Sequence, residues 1–218
     1  MTAKQLEHKL LTTPLVAIAR HIPGDRLIPA AQALYAGGVR FIEVTLNSQG
    51  ALDSIQALRR AFIHTDMAIG AGTVLGPTAA RQALDAGASF LVCPHTDPAV
   101  IKAALDAEAL ALPGVMTPTD VAQALEAGAR VMKLFPAGAL GPAYVRQLRA
   151  PFNRVPFLAV GGVDLDNAAQ YLAAGCAGLG LGGALVDAKA IGQGDYEELT
   201  RRAQRYIALL PSSSYLEE

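Results

Sequence analysis

Two charged side chains stand inside apolar runs, where charge is hard to solvate. Glu43 interrupts Phe41-Ile42-Glu43-Val44-Thr45-Leu46, and Lys133 interrupts Val131-Met132-Lys133-Leu134-Phe135. Side chains alternate between faces of an extended chain, so Phe41, Glu43 and Thr45 share one face and Ile42, Val44 and Leu46 the other. The same alternation groups Lys133 with Val131 and Phe135. An ammonium among apolar neighbours loses proton affinity, and the neutral amine is a nucleophile able to attack a carbonyl. A carboxyl beside it can move the protons such an addition requires. The other lysines, Lys4, Lys9, Lys102 and Lys189, fall in helix-like or loop-like surroundings where solvation is easy. The competing reading of the pair is a buried ion bridge that only fills space.

Glycine supplies a second signal. Val160-Gly161-Gly162 and Gly180-Leu181-Gly182-Gly183 each follow an apolar run, where exposed backbone N–H groups suit an anion such as a phosphate. Paired glycines after a strand are also ordinary tight turns. Arg20 ends Val16-Ala17-Ile18-Ala19 and Thr73 follows Gly70-Ala71-Gly72, a guanidinium and a hydroxyl suited to a small carboxylate, although Arg20 also reads as a solvated strand end. Asn47 either bonds a substrate hydroxyl or caps the following helix together with Ser48. Cys93 and His95 lack further ligands at metal spacing, so no metal is expected; His21 is assigned no part.

These residues must be held by regular elements. Apolar runs at Pro14-Ala19, Val39-Leu46, Met67-Gly72, Phe90-Cys93, Leu110-Leu112, Arg130-Phe135, Phe157-Val160 and Gly178-Leu181 read as eight strands. Helix-like segments lie between them, with starts such as Thr117-Pro118 with Asp120, and Gly76-Pro77. Leu34-Tyr35-Ala36-Gly37-Gly38, Leu84-Asp85-Ala86-Gly87-Ala88, Leu125-Glu126-Ala127-Gly128-Ala129 and Leu172-Ala173-Ala174-Gly175-Cys176 recur about every 46 residues, the length of two βα units. Their glycines suit left-handed helix ends. The expected fold is a single (β/α)8 TIM barrel over residues 1–218, an open doubly wound sheet being the alternative. Residues 2–12 are expected as an extra N-terminal helix capping the barrel floor, and Asp195-Leu210 as the helix that closes the ring. Glu43 and Lys133 then point into one interior, and polar residues at the C-terminal strand ends form the site.

Composition limits the function. The 218 residues are 52% hydrophobic and 17% charged, enough apolar content for a continuous core. Eighteen basic and nineteen acidic side chains leave a net charge of -1, which provides no field for nucleic acid or an anionic bilayer. The first residues lack the signature of an export signal, and no apolar stretch approaches the roughly 18 residues of a membrane span. Two distant cysteines form neither a zinc motif nor a disulfide framework. A cytoplasmic protein acting on a small anionic molecule is expected.

The strand carrying Glu43, Gly38-Val39-Arg40-Phe41-Ile42-Glu43-Val44-Thr45-Leu46, and the one carrying Lys133, Gly128-Ala129-Arg130-Val131-Met132-Lys133-Leu134-Phe135-Pro136-Ala137, together resemble the paired signatures of the 2-keto-3-deoxy-6-phosphogluconate and -galactonate aldolase family. Gly70-Ala71-Gly72-Thr73-Val74-Leu75, Pro113-Gly114-Val115-Met116-Thr117-Pro118-Thr119 and Val160-Gly161-Gly162-Val163 match its pattern too, so the resemblance runs over about residues 14–187. It implies a lyase that performs a class I retro-aldol cleavage in a trimer of (β/α)8 barrels, with no metal or organic cofactor. Carried over, Lys133 on the sixth strand is the Schiff-base nucleophile, and Glu43 on the second is the general acid/base. Arg20 and Thr73 contact the carboxylate, and Gly161, Gly162, Gly182 and Gly183 form the phosphate site.

The implied partners are a phosphorylated 2-keto-3-deoxy sugar acid and pyruvate. Gluconate enzymes of the family commonly carry arginine at the place of Asn47. Leu46-Asn47-Ser48, with Arg20 and Leu140-Gly141-Pro142, resembles the galactonate branch. Two departures stand out: Gly183 replaces a frequent serine, and Cys93-Pro94-His95 replaces the usual Thr/Ser-Pro-Asn, an expected change in the wall beside the pyruvate carbons. Rival readings are the gluconate or 4-hydroxy-2-oxoglutarate substrate, a sugar-phosphate isomerase or epimerase using Lys133 only as a charge, and a noncatalytic phosphate-sensing barrel.

Overall fold

The computed structural model describes residues 1–211; the last seven residues of the expected 1–218 span lie outside the described residues. Strands β1 (Leu15–Ala19), β2 (Phe41–Thr45), β3 (Ala68–Gly72), β4 (Phe90–Val92) and β5 (Leu110–Leu112) run up one side of a parallel sheet. The sheet continues with β6 (Gly114–Val115), β7 (Met132–Leu134), β8 (Phe157–Val160) and β9 (Gly178–Leu181). The order is β5-β4-β3-β2-β1-β9-β8-β7-β6. Its two ends, β5 and β6, are consecutive in the chain and separated by Pro113 alone, so the sheet closes on itself into an α/β barrel. Proline has no N–H to continue a ladder and therefore splits one stave in two, while its carbonyl accepts the Lys133 N–H at 2.9 Å. All eight expected strands are present. The fifth continues past Pro113, which reads as a strand end in sequence, and the open-sheet alternative does not survive the closure.

Helices α2 (Gly24–Ala36), α3 (Ala51–Ala61), α4 (Pro77–Asp85), α5 (Pro98–Asp106), α6 (Pro118–Glu126), α7 (Ala137–Arg149), α8 (Ala168–Ala173) and α9 (Ala188–Gln193) alternate with the strands. The expected starts hold: Thr117 and Asp120 form a reciprocal capping box ahead of α6, and Pro77 opens α4. The closing helix α10 (Tyr196–Ile207) packs on α2, where Gly37 leaves room for Ala203 and the Thr200 hydroxyl donates to the Ala33 carbonyl at 2.9 Å.

Two apolar layers result from the period of two along each strand. Ile42, Val44, Ile69, Ala71, Met132 and Leu134 pack outward against the helices. Val16, Ile18, Phe41, Phe90, Val131, Leu158 and Val160 fill the barrel axis. The extra helix α1 (Ala3–Thr12) inserts Leu6, Leu10 and Leu11 into that inner layer, and so plugs the floor as expected.

The repeat marks a recurring helix stop. Gly38, Gly87, Gly128 and Gly175 have φ between 95° and 102°. The next residue's N–H reaches back five positions, as in Val39 to Leu34 and Ala88 to Ala83, closing the Schellman pattern. Leu105-Asp106-Ala107-Glu108-Ala109 is a fifth copy that the glycine spacing hid, because Glu108 occupies the left-handed position at φ 55°. Ala109 N–H still bonds the Ala104 carbonyl at 2.8 Å. With this copy included, the spacing through Leu84, Leu105 and Leu125 falls to one βα unit. The left-handed cost of a non-glycine residue, about 1–2 kcal/mol, exceeds the unfolded-chain entropy that glycine adds, about 0.4–1 kcal/mol. Glu108→Gly is therefore expected to raise Tm by about 2 °C, measured by thermal unfolding.

Candidate active site

Glu43 and Lys133 occupy opposed staves, on β2 and β7, and both side chains point down the barrel axis. Glu43 is 2% exposed and Lys133 5%. They line one small cavity of about 10 Å³ whose other walls are apolar: Val16, Ile18, Val92, Leu112, Leu158 and Val160, with Gly180. That volume admits about one water molecule. Among the described residues the two groups form no direct salt bridge, although each acts on the charge of the other. Glu43 Oε2 has no hydrogen-bond partner among the described residues.

Burial governs the charge of both groups. It pushes the Glu43 carboxyl up to about 7, against the opposing charges of Lys133 and Arg20. It also lowers Lys133, and Arg20 lowers it further, while Glu43 and Cys93 act the other way. A carboxyl held near neutrality and an amine of weakened basicity are the pair that acid/base and nucleophilic chemistry at neutral pH requires. The Lys133 Nζ also stands 4.6 Å from the centroid of the Phe135 ring.

Above the pair the barrel opens into a chamber of about 550 Å³. Lys133, Arg20, Gly161, Gly162, Gly182 and Gly183 all line it, so the structure gathers six of the nine residues singled out in sequence around one opening. The glycines differ in what holds them. Gly161 (φ 86°) and Gly162 (φ 73°) are locked: a Cβ at Gly161 would lie 3.0 Å from the Phe135 ring, and one at Gly162 3.0 Å from the Gly138 Cα. Gly138 N–H donates to the Gly161 carbonyl at 2.7 Å, and the Asn167 side chain donates to that of Gly162 at 3.0 Å. Around Gly182 and Gly183, by contrast, an added Cβ meets nothing within 4 Å.

Asn47 is exposed and Thr73 half-buried; both stand at the rim and neither lines the chamber or the small cavity beneath it. Thr73 has φ 54°, a left-handed conformation that is strained for a β-branched residue. The capping reading for Asn47 and Ser48 fails, because the N-cap of α3 is Gly50 and no side chain caps the helix. Ser48 Oγ instead accepts the His21 N–H at 2.9 Å and lies 3.0 Å from Thr45 Oγ1, tying the β2 turn to the β1 turn.

Neither Cys93 nor His95 lines the chamber or the small cavity beneath it. Cys93 packs in the outer layer, its thiol pushed up to about 12 by burial despite the Lys133 charge, and His95 is exposed. The chamber is also lined by residues to which the sequence assigned no site role. His21, with φ 55°, lines the chamber, as do Phe135 and Asp164. Asp164 turns its carboxylate onto the N–H groups of Asp166 and Asn167, at 3.0 and 3.2 Å. Only the position of His21 directly after Arg20 could have signalled it. Among the described residues no group of three His, Cys, Asp or Glu is arranged to hold a metal ion.

Comparison with known proteins places this geometry in context. The sequence profile of a family described as "KDPG and KHG aldolase" matches residues 6–202. The chain is 37% identical over 199 residues to the 2-dehydro-3-deoxy-phosphogluconate aldolase of Treponema pallidum (strain Nichols), covering 90% of this chain and 92% of that protein. It is 39% identical over 170 residues to the 2-dehydro-3-deoxy-6-phosphogalactonate aldolase of Escherichia coli (strain K12), covering 78% and 82%. Among solved structures, a KDPG aldolase from Legionella pneumophila, with pyruvate captured as a covalent carbinolamine, superposes with a TM-score of 0.84. Its identity is 28%, over 90% of this chain and 95% of that one.

Proposed function

Because this chain belongs to the KDPG and KHG aldolase family, and is thus a class I aldolase and a lyase, we propose that it cleaves 2-dehydro-3-deoxy-6-phosphogalactonate to pyruvate and D-glyceraldehyde 3-phosphate. The observation that carries the reading is the buried amine of Lys133 facing one cavity together with the raised carboxyl of Glu43. Neutral Lys133 attacks C2 of the keto acid. Glu43 donates the proton with which the carbinolamine hydroxyl leaves as water, giving an iminium. The carboxylate then takes the C4 hydroxyl proton, directly or through one water, and the C3–C4 bond breaks with its electrons entering the iminium. Glyceraldehyde 3-phosphate departs, the enamine is protonated at C3, and hydrolysis frees pyruvate and the amine. No metal or organic cofactor takes part.

Around this chemistry, Arg20 and Thr73 hold the carboxylate, Asn47 meets a substrate hydroxyl, and the backbone at Gly161, Gly162, Gly182 and Gly183 receives the phosphate. Asn47 supports the galactonate epimer over the gluconate one, since the resemblance associates arginine at that place with gluconate. The proposal includes a cytoplasmic homotrimer, to which the two free buried thiols are suited; light scattering should return three times the chain mass.

The decisive test is borohydride reduction in the presence of pyruvate, which should leave a three-carbon adduct on Lys133. An isomerase or a phosphate-sensing barrel forms none, and absence of the adduct from the native protein overturns the proposal. A higher kcat/KM for the galactonate phosphate than for the gluconate phosphate supports the choice of epimer; the reverse replaces it.

The open space at Gly183 yields a further expectation. Gly183→Ser adds a hydroxyl without a steric clash. One hydrogen bond to a charged group, worth about 1.5–3 kcal/mol, should raise kcat/KM for the phosphorylated substrate by about tenfold or more. Steady-state kinetics should show no matching gain with the unphosphorylated analogue.

A further inference from the structure

The inward face of β3 is stripped of side chains at the height where the carboxyl of Glu43 sits. By register, Glu43 lies beside Gly70 and Thr45 beside Gly72. A Cβ built on Gly70 would fall 2.5 Å from the Phe90 ring, and that ring packs edge-on against Phe41 with centroids 5.4 Å apart. Gly70 thus admits an aromatic floor beneath Glu43. One step higher, a Cβ on Gly72 would lie 2.6 Å from the Glu43 Cδ, 3.2 Å from Oε2 and closer still to Oε1. The carboxyl therefore rests directly on the Gly72 main chain. With Glu43 2% exposed and Oε2 unpartnered, no hydrogen bond to Oε2 fixes it there. Contact with the Gly72 main chain, together with the charges of Lys133 and Arg20, sets its height relative to Lys133.

We propose that Gly72 is a positioning residue: the absence of a side chain there provides the seat that holds the Glu43 carboxyl level with the Lys133 amine. The inference rests on the aldolase reading and deepens it. Gly72 is an ordinary strand residue and not among the positive-φ glycines, so the main chain accepts alanine. The atom that must yield is the far end of a flexible side chain. A methyl group at this position leaves the barrel folded and lifts the carboxyl off its seat.

The experiment compares four full-length proteins: native, Gly72→Ala, Glu43→Asp, and the combination of the last two. Three readouts are followed: borohydride trapping with pyruvate, exchange of the pyruvate methyl protons into deuterated water, and Tm. For Gly72→Ala the final yield of adduct on Lys133 after exhaustive reduction and the Tm should stay near native, since that amine is untouched, while the adduct forms more slowly because Glu43 also assists loss of water from the carbinolamine. Methyl-proton exchange and kcat should fall about 100-fold, the order expected when a reacting group moves by about an ångström, with little change in KM. The aspartate side chain is one methylene shorter and clears the new methyl. Adding Glu43→Asp to Gly72→Ala should therefore raise exchange above that of Gly72→Ala alone, although Glu43→Asp lowers exchange in the native background.

A residue that merely packs would not reverse the sign of that effect. Native exchange in Gly72→Ala overturns the seat, as does joint loss of trapping, exchange and Tm, or the lack of any rescue in the double variant. If the native protein forms no adduct at all, the aldolase reading fails and the seat fails with it. A native adduct with unaltered Gly72→Ala exchange rejects the seat alone.

Discussion

Lys133→Ala and Lys133→Arg should each lower kcat for retro-aldol cleavage by about 10⁴-fold or more, the order by which loss of a covalent nucleophile slows an enzyme. Neither should yield a pyruvate adduct on borohydride reduction. The two substitutions separate covalent from electrostatic use of the residue, because arginine keeps a permanent positive charge but supplies no free amine. An isomerase that needed only a cation would tolerate Lys133→Arg. A second readout follows from the charge of Lys133, which opposes the effect of burial on Glu43. Without that charge in Lys133→Ala, the Glu43 carboxyl should titrate above about 7, which carboxyl-detected NMR can follow. Activity in Lys133→Arg within tenfold of native would remove the imine from the mechanism.

Glu43→Gln should separate attack by the amine, which needs only Lys133, from the proton transfers that Glu43 carries out. The amine remains, so pyruvate should still be trapped on Lys133, more slowly because the carbinolamine loses its proton donor, and kcat and methyl-proton exchange should fall by about 10²–10⁴-fold, the usual contribution of a positioned acid/base. The same variant has a stability signature. Burial holds the Glu43 carboxyl at about 7 in the folded protein, above its ordinary value of 4.5. Between those values the native state binds more protons than the unfolded chain. The contribution is complete below about pH 4.5 and is lost as pH rises through about 7, when a charge must be carried in an apolar barrel. At pH 8 that loss is about 3 kcal/mol, or several degrees in Tm for a chain of this size. Glu43→Gln has no carboxyl to ionise, so its Tm relative to native should rise between pH 5 and pH 8. A difference independent of pH, or an exchange rate equal to native, would contradict the role assigned to Glu43.

The two groups at the centre of these predictions were legible because a charge within an apolar strand is a local pattern. Alternation alone directs Glu43 with Phe41, and Lys133 with Val131 and Phe135, to the barrel axis, and the inner layer contains those neighbours. Residues whose roles arise from packing between distant segments gave no such pattern. His21 lines the chamber with its backbone N–H donating to the side-chain hydroxyl of Ser48, 27 positions away. Asn47 and Ser48 looked like a cap because both types favour that position, yet Ser48 was drawn to Thr45 and His21 instead. Glu108 concealed a repeat because local preference calls for glycine at a left-handed site, and here the helix stop forms without it.

Strand periodicity, helix caps and turn glycines act over a few residues, so the chain by itself determined its eight staves, its helices and the inward direction of its two reactive groups. Closure required β5 and β6 to meet around Pro113, which no local rule can foresee; only the folded barrel decided which glycines are locked by contact and which stand free. It also decided how near neutrality a buried carboxyl and amine are held. Those properties depend on atoms brought together from remote parts of the chain, on the volume they exclude and on the water they displace.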